Sequence, residues 1–166
     1  MSQGYDKSKP HKVGYYPDSA KESEVVLRKM KNPDIEYFKL TDKSPRTAFR
    51  KYMDDKGLTY DEEEMERIIK ESFSVITAHK KYYNRPRPYQ VNDNIVSQKS
   101  LTANTASYPS GHTYQAYLLA QHFSKKYPLH YFSFYRIANR IAKARVSIGL
   151  HYPSDNKKAF ELAHSM

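Results

Sequence analysis

The sequence predicts an all-α protein, a single-domain helical bundle. Apolar residues recur at three- and four-residue spacings over several long stretches. Serine, threonine or acidic residues stand where those stretches begin, and only Asn94 to Val96 looks weakly strand-like. At 166 residues the chain has the length of one ordinary domain. A flexible arm is expected over residues 1–17 and the domain over 18–166.

The elements follow in order. Residues 1–17 mix Lys, Gly, Pro and Tyr without periodicity. Ser19 and Glu22 form a capping box ahead of Val25, Val26 and Met30, and Pro33 closes that helix. Ser44 and Pro45 open a second, with Ala48, Phe49, Tyr52 and Met53 on one side and Gly57 as its stop. Thr59 and Glu62 cap what should be the longest helix, whose stripe runs Met65, Ile69, Phe73, Ile76 and on to Lys80. Residues 84–110 carry Pro86, Pro88 and Pro109 without helical periodicity, a long irregular connection of the kind that is usually functional. Ser110 caps the next helix, with His112, Ala116, Leu119 and Phe123 on one stripe. Beyond Pro128 another stripe runs Phe134, Ala138, Ile141, Arg145 and Ile148, and a short last segment begins at Pro153.

Composition narrows the chemistry. There is no Cys, which removes disulfides, thiolate-bound metals and cysteine nucleophiles, and the 5 Gly form neither a Walker A loop nor a dinucleotide fingerprint. Aromatic residues make up 14%, mostly 16 Tyr, so the core should be built from amphipathic rings. A formal charge of +10 favours anionic partners. No apolar run has the length of a signal peptide or a membrane span, so a soluble, cytoplasmic protein without membrane insertion is expected.

Three stripes therefore turn a lysine, a histidine and an arginine inward, where unpaired charge costs several kcal/mol. An anion should sit between them. Lys80 is followed after six residues by Arg87 and Pro88, then come Pro109-Ser110-Gly111-His112, then Arg145, five residues, His151, three residues and Asp155. These three segments resemble the signature of the phosphatidic acid phosphatase type 2 (PAP2) superfamily, which includes bacterial class A acid phosphatases and vanadium haloperoxidases. The stretch Ser107 to Thr113 is most similar to the class A enzymes.

That resemblance implies a helical bundle of the same type and a phosphatase acting on phosphomonoesters through phosphohistidine. It implies His151 as nucleophile, Asp155 as the group orienting it, and His112 as acid and then base, protonated at the outset. Lys80, Arg87, Ser110, Gly111 and Arg145 would bind phosphate. The residue types agree, because a phosphoryl group in transfer spreads charge over three oxygens and needs several fixed donors. Two arginines offer planar forks, Lys80 a point charge, and the Ser110-Gly111 helix start its amides. His11, His79, His122, His130 and His164 match nothing and read as surface or packing residues. No cofactor and no metal is expected.

Ala144 departs from the family, which usually has Ser before this arginine. Only 11 residues follow Asp155, fewer than in the class A enzymes, which points to a homo-oligomer. Pocket walls are expected from residues 89–108 and the Tyr-rich N-terminal half. The substrate is a small phosphorylated molecule whose identity stays open. A vanadium-dependent haloperoxidase and a non-catalytic anion- or nucleic-acid-binding protein are the alternatives, and nucleic acid stays open as a partner.

Overall fold

The computed structural model describes residues 4–165. The helices are α1 (Ser19–Lys29), α2 (Ile35–Thr41), α3 (Arg46–Lys56), α4 (Glu62–Tyr83), α5 (Pro88–Val91), α6 (Gly111–Lys126), α7 (Tyr131–Ser147) and α8 (Pro153–Ala163), with a 3-10 turn at Pro128–His130. No strand occurs among the described residues, and Asn94 to Val96 lies in irregular chain.

α6 is the central element, packed by α4, α7 and α8. Tyr114, Ala116, Tyr117, Leu119, Ala120 and Phe123 are all buried, as a helix enclosed on several sides requires. Phe49, Phe123 and Phe134 stack at centroid separations of 5.7–6.3 Å in the core between α3, α6 and α7. Each ring removed from water contributes on the order of 2–3 kcal/mol.

Local capping departs from the expected pattern. Asp18, not Ser19, caps α1 by accepting from the Lys21 amide, and Asp61, not Thr59, caps α4 by accepting from the Glu63 and Glu64 amides. Ser19 and Glu22 instead turn to Arg85. Ser110 does cap α6, accepting from the Thr113 amide, and Gly57 ends α3 with φ of +67°, where a side chain would be strained. Phe73 was expected in the core but is 55% exposed, because α4 buries Met65, Ser72, Ile76, Lys80 and Tyr83 instead. Ser72 takes the buried place by accepting from the Gln115 amide group.

The N-terminal segment, from residue 4, is irregular but attached; residues 1–3 of the expected arm lie outside the described residues. The Lys12 amide donates to the Tyr83 carbonyl, and Asp6 and Asn84 exchange hydrogen bonds of 3.0 Å in both directions. Tyr16 packs on Tyr108 and over Arg85.

Candidate active site

Lys80 sits in the last turn of α4, Arg87 just before α5, Gly111 and His112 in the first turn of α6, Arg145 in the last turn of α7, and His151 in the α7–α8 link. All six line one cleft of about 670 Å³. Side chains spread over 72 residues of sequence thus converge through the three inward stripes.

His151 is held at both ring nitrogens. Nδ1 lies 2.9 Å from Asp155 Oδ2, and Nε2 lies 3.2 Å from Arg87 Nη1. Asp155 is ringed by donors, from Arg85 Nη1 at 2.9 Å, the Tyr152 amide at 3.0 Å and the Ser107 hydroxyl. Burial raises its pKa against these donors, but with every contact a donor it remains a carboxylate. Nδ1 therefore donates to Asp155, and since a guanidinium can only donate, Nε2 carries the lone pair. Burial first, then Arg87, Lys80 and Arg145, hold the His151 pKa well below the ordinary value, so the ring is neutral.

The link that presents His151 depends on Gly149. Its φ is +87°, and an added Cβ would lie 2.9 Å from Ile95 Cγ2 and 3.1 Å from the Met30 thioether. No other residue fits that turn without displacing both neighbours.

Thr105 fixes two cations together. Its hydroxyl accepts from Lys80 Nζ at 2.7 Å and from Arg87 Nη2 at 3.0 Å, and its carbonyl accepts from Arg87 Nε at 2.8 Å. Burial, then Arg87, push the Lys80 ammonium well below the ordinary lysine value, Asp155 opposing. Burial and Arg145 push Arg87 down to about 10, which leaves it charged at neutral pH. Arg145 donates from Nη1 to Asp42 Oδ1 at 2.7 Å, while its buried Nε has no acceptor among the described residues. A crowded, partly unpaired cation set of this kind is complementary to an anion.

His112 lies 2.6 Å through Nε2 from the Asp42 carbonyl, which can only accept, so Nε2 is protonated and Nδ1 is left to exchange a proton. Burial and then Arg145 hold its pKa well below the ordinary value. Burial and Arg145 thus favour the neutral ring, and the protonated start that the resemblance implies needs an anion beside it. At the start of α6 the Ser110 amide is engaged by the Asp155 carbonyl at 3.2 Å. The Gly111 and His112 amides have no acceptor among the described residues, so the open helix start lies one residue further on than expected.

Several supporting residues escaped the sequence reading. Asp42 holds Arg145, His112 and, through Ser100 and the Leu101 amide, the loop that carries Thr102 to the cleft wall. Burial pushes its carboxyl up, but Ser100, the Leu101 amide and Arg145 together hold it below the ordinary value. Arg85 is fully buried, lies 3.6 Å from the Tyr152 ring centroid, and joins Asp155 to Glu22 at 2.9 and 2.8 Å. Arg85 was legible as a second arginine two residues before Arg87; Asp42, Thr105, Ser107 and Glu22 carry no local signal. Of residues 89–108 only Thr102 and Thr105 line the cleft, and the N-terminal half contributes through α3 and α4 rather than through tyrosines.

No helix among the described residues is long and apolar enough to cross a membrane. No curated protein matches the chain. The PAP2 superfamily matches residues 68–159, which is more than half of the sequence and includes every residue of the three segments. With the all-helical bundle and that match, the chain belongs to the PAP2 superfamily, whose activity is of the phosphatase type.

Proposed function

We propose that the protein is a metal-independent phosphatase of the acid phosphatase type, hydrolysing phosphomonoesters through a phosphohistidine at His151. The observation that carries the reading is the tautomer of His151: Nδ1–H on Asp155, Nε2 with its lone pair toward Arg87. A phosphate in the cleft takes over the donors of Arg87, Lys80 and Arg145 and the open amides of Gly111 and His112.

The Nε2 lone pair attacks phosphorus as the bond to the leaving oxygen breaks. The dianion supplies the countercharge that the buried His112 lacks, and its Nδ1 passes a proton to the leaving oxygen. In the second step His112 takes a proton from water, the hydroxide attacks phosphorus, the P–N bond breaks, and inorganic phosphate leaves with His151 neutral again. Asp155 keeps its carboxylate throughout and stabilises the charged ring. Positive side chains, rather than an added cation, neutralise the transferring group, since Lys and Arg repel a metal from this end.

Hydrolysis of p-nitrophenyl phosphate tests the reading. Turnover that persists in EDTA and is blocked by vanadate, whose five-coordinate form resembles the transition state, is expected. Loss of turnover in EDTA, or vanadate-dependent bromide oxidation in place of hydrolysis, would overturn it.

A further inference from the structure

The cleft is far longer than a phosphate needs. α4 lines it from Glu66 to Lys80, and at 1.5 Å per residue these fourteen steps span about 21 Å. The volume is that of a pocket for a drug-sized ligand. The deep end holds the residues described above. The outer half has a different composition: Ile69 and Phe73 of α4 form an apolar wall beside Lys70 and Glu66, and Lys43 and Arg46 line the cleft from the chain that follows α2. Arg50 also lines it, but its guanidinium is already held by Glu62 at 2.5 and 3.0 Å. Lys43 and Lys70 have no ion-pair carboxylate among the described residues, and Arg46 donates through its side chain to the Ser44 hydroxyl and lies near the Glu62 carboxylate that Arg50 holds.

We infer that the outer half is a second anion subsite, and that the substrates are phosphomonoesters whose leaving group carries a second anionic group at its far end. Lys70 lies ten residues from Lys80, about 15 Å along the helix, and an anion held at each end stands about 3 Å inside its ammonium. The two anions are thus separated by roughly 10 Å, too far for a diphosphate and right for an extended bisphosphate. Phe73 and Ile69 cover the uncharged middle of such a molecule, which explains an aromatic ring left 55% exposed on a wall between two cationic ends. The inference rests on the phosphate-binding role proposed for the deep end.

Calorimetric titration of the wild-type protein with hexylphosphonate and with hexane-1,6-diyl bisphosphonate separates the two sites, because the probes differ only in the far anion and neither is hydrolysed. The bisphosphonate should bind about tenfold more tightly, the modest gain expected of three partly solvated cations acting on one group. In Lys43→Gln/Lys70→Gln the excess should shrink to threefold or less, and in Lys70→Glu it should vanish. Equal affinity of the two probes in the wild type, or an excess that survives in Lys70→Glu, would overturn the subsite while leaving the phosphatase reading intact. Dodecylphosphonate binding more tightly than the bisphosphonate would also overturn it, by showing that the wall takes an apolar chain. Failure of both six-carbon probes to bind would overturn the deep phosphate site and the subsite together.

Discussion

Arg145 and Asp42 form a buried ion pair, Nη1 to Oδ1 at 2.7 Å, that ties the last turn of α7 to the chain after α2 across 103 residues of sequence. The same Asp42 holds His112 through its carbonyl and the Ser100–Leu101 loop through its carboxylate. Asp42→Asn leaves a buried guanidinium without its counterion and should cost about 3 kcal/mol of stability. Urea unfolding measures it, and inorganic phosphate should recover part of the loss by giving Arg145 another anion. A variant as stable as the wild type would remove Asp42 from the account.

Arg85 acts one step further out. It touches the Asp155 carboxylate and not the cleft, so Arg85→Lys keeps the charge but loses the fork that fixes Asp155. A fall in kcat of about 10²-fold is expected with KM changed much less, the signature of a misplaced nucleophile rather than a weakened binding site. A rise in KM with kcat preserved would place Arg85 in binding instead.

The pH dependence of stability has a definite sign. His112 and His151 are both held well below the ordinary value of 6.5, first by burial and then by neighbouring cations. Between their folded values and 6.5 the unfolded chain binds more protons than the folded one, so the stability they contribute rises with pH and levels off above 6.5. Asp155, raised by burial, contributes the opposite sign between the ordinary 3.8 and its folded value. The histidine part is therefore read as a difference: urea midpoints from pH 5 to 7.5 should climb more steeply in the wild type than in His112→Gln/His151→Gln. Parallel profiles would contradict the assignment.

Much of this site was legible in the sequence because it is built on long amphipathic helices. Lys80, His112 and Arg145 each continue an apolar stripe at three- or four-residue spacing, and a charge on such a stripe has to face inward. α2 was missed because its seven residues, Ile35–Thr41, are too few to show a period, and tertiary contact rather than local propensity fixes it. The cap positions were displaced by neighbouring serine and threonine because Asp18 and Asp61 compete for the same role, and only the fold decides which amides are open. Asp42, Thr105 and Glu22 act through partners 18 or more residues away, and a single sequence holds no trace of such pairings.

The two cleft histidines should fail at different steps. His151→Ala removes the atom proposed to bond phosphorus and should lower turnover by several orders of magnitude, while inorganic phosphate should still bind to the remaining cations. His112→Ala removes the proposed proton donor and water activator, and the loss of about 10² to 10⁴ should shrink for the first step when the leaving group is good. Steady-state rates with an aryl and an alkyl phosphate should show the larger loss for the alkyl ester. Equal losses for both esters would count against His112 as the acid.

The central claim is that Nε2 of His151 forms the bond to phosphorus, and trapping the intermediate tests it most directly. His112→Ala mixed with an activated aryl phosphate should become phosphorylated and then turn over slowly, because the second step lacks its base. Rapid quench followed by peptide mass spectrometry should find an acid-labile phosphate on the peptide containing His151, and none in His112→Ala/His151→Ala. Phosphate found instead on Ser110, or equal labelling when His151 is absent, would contradict the account.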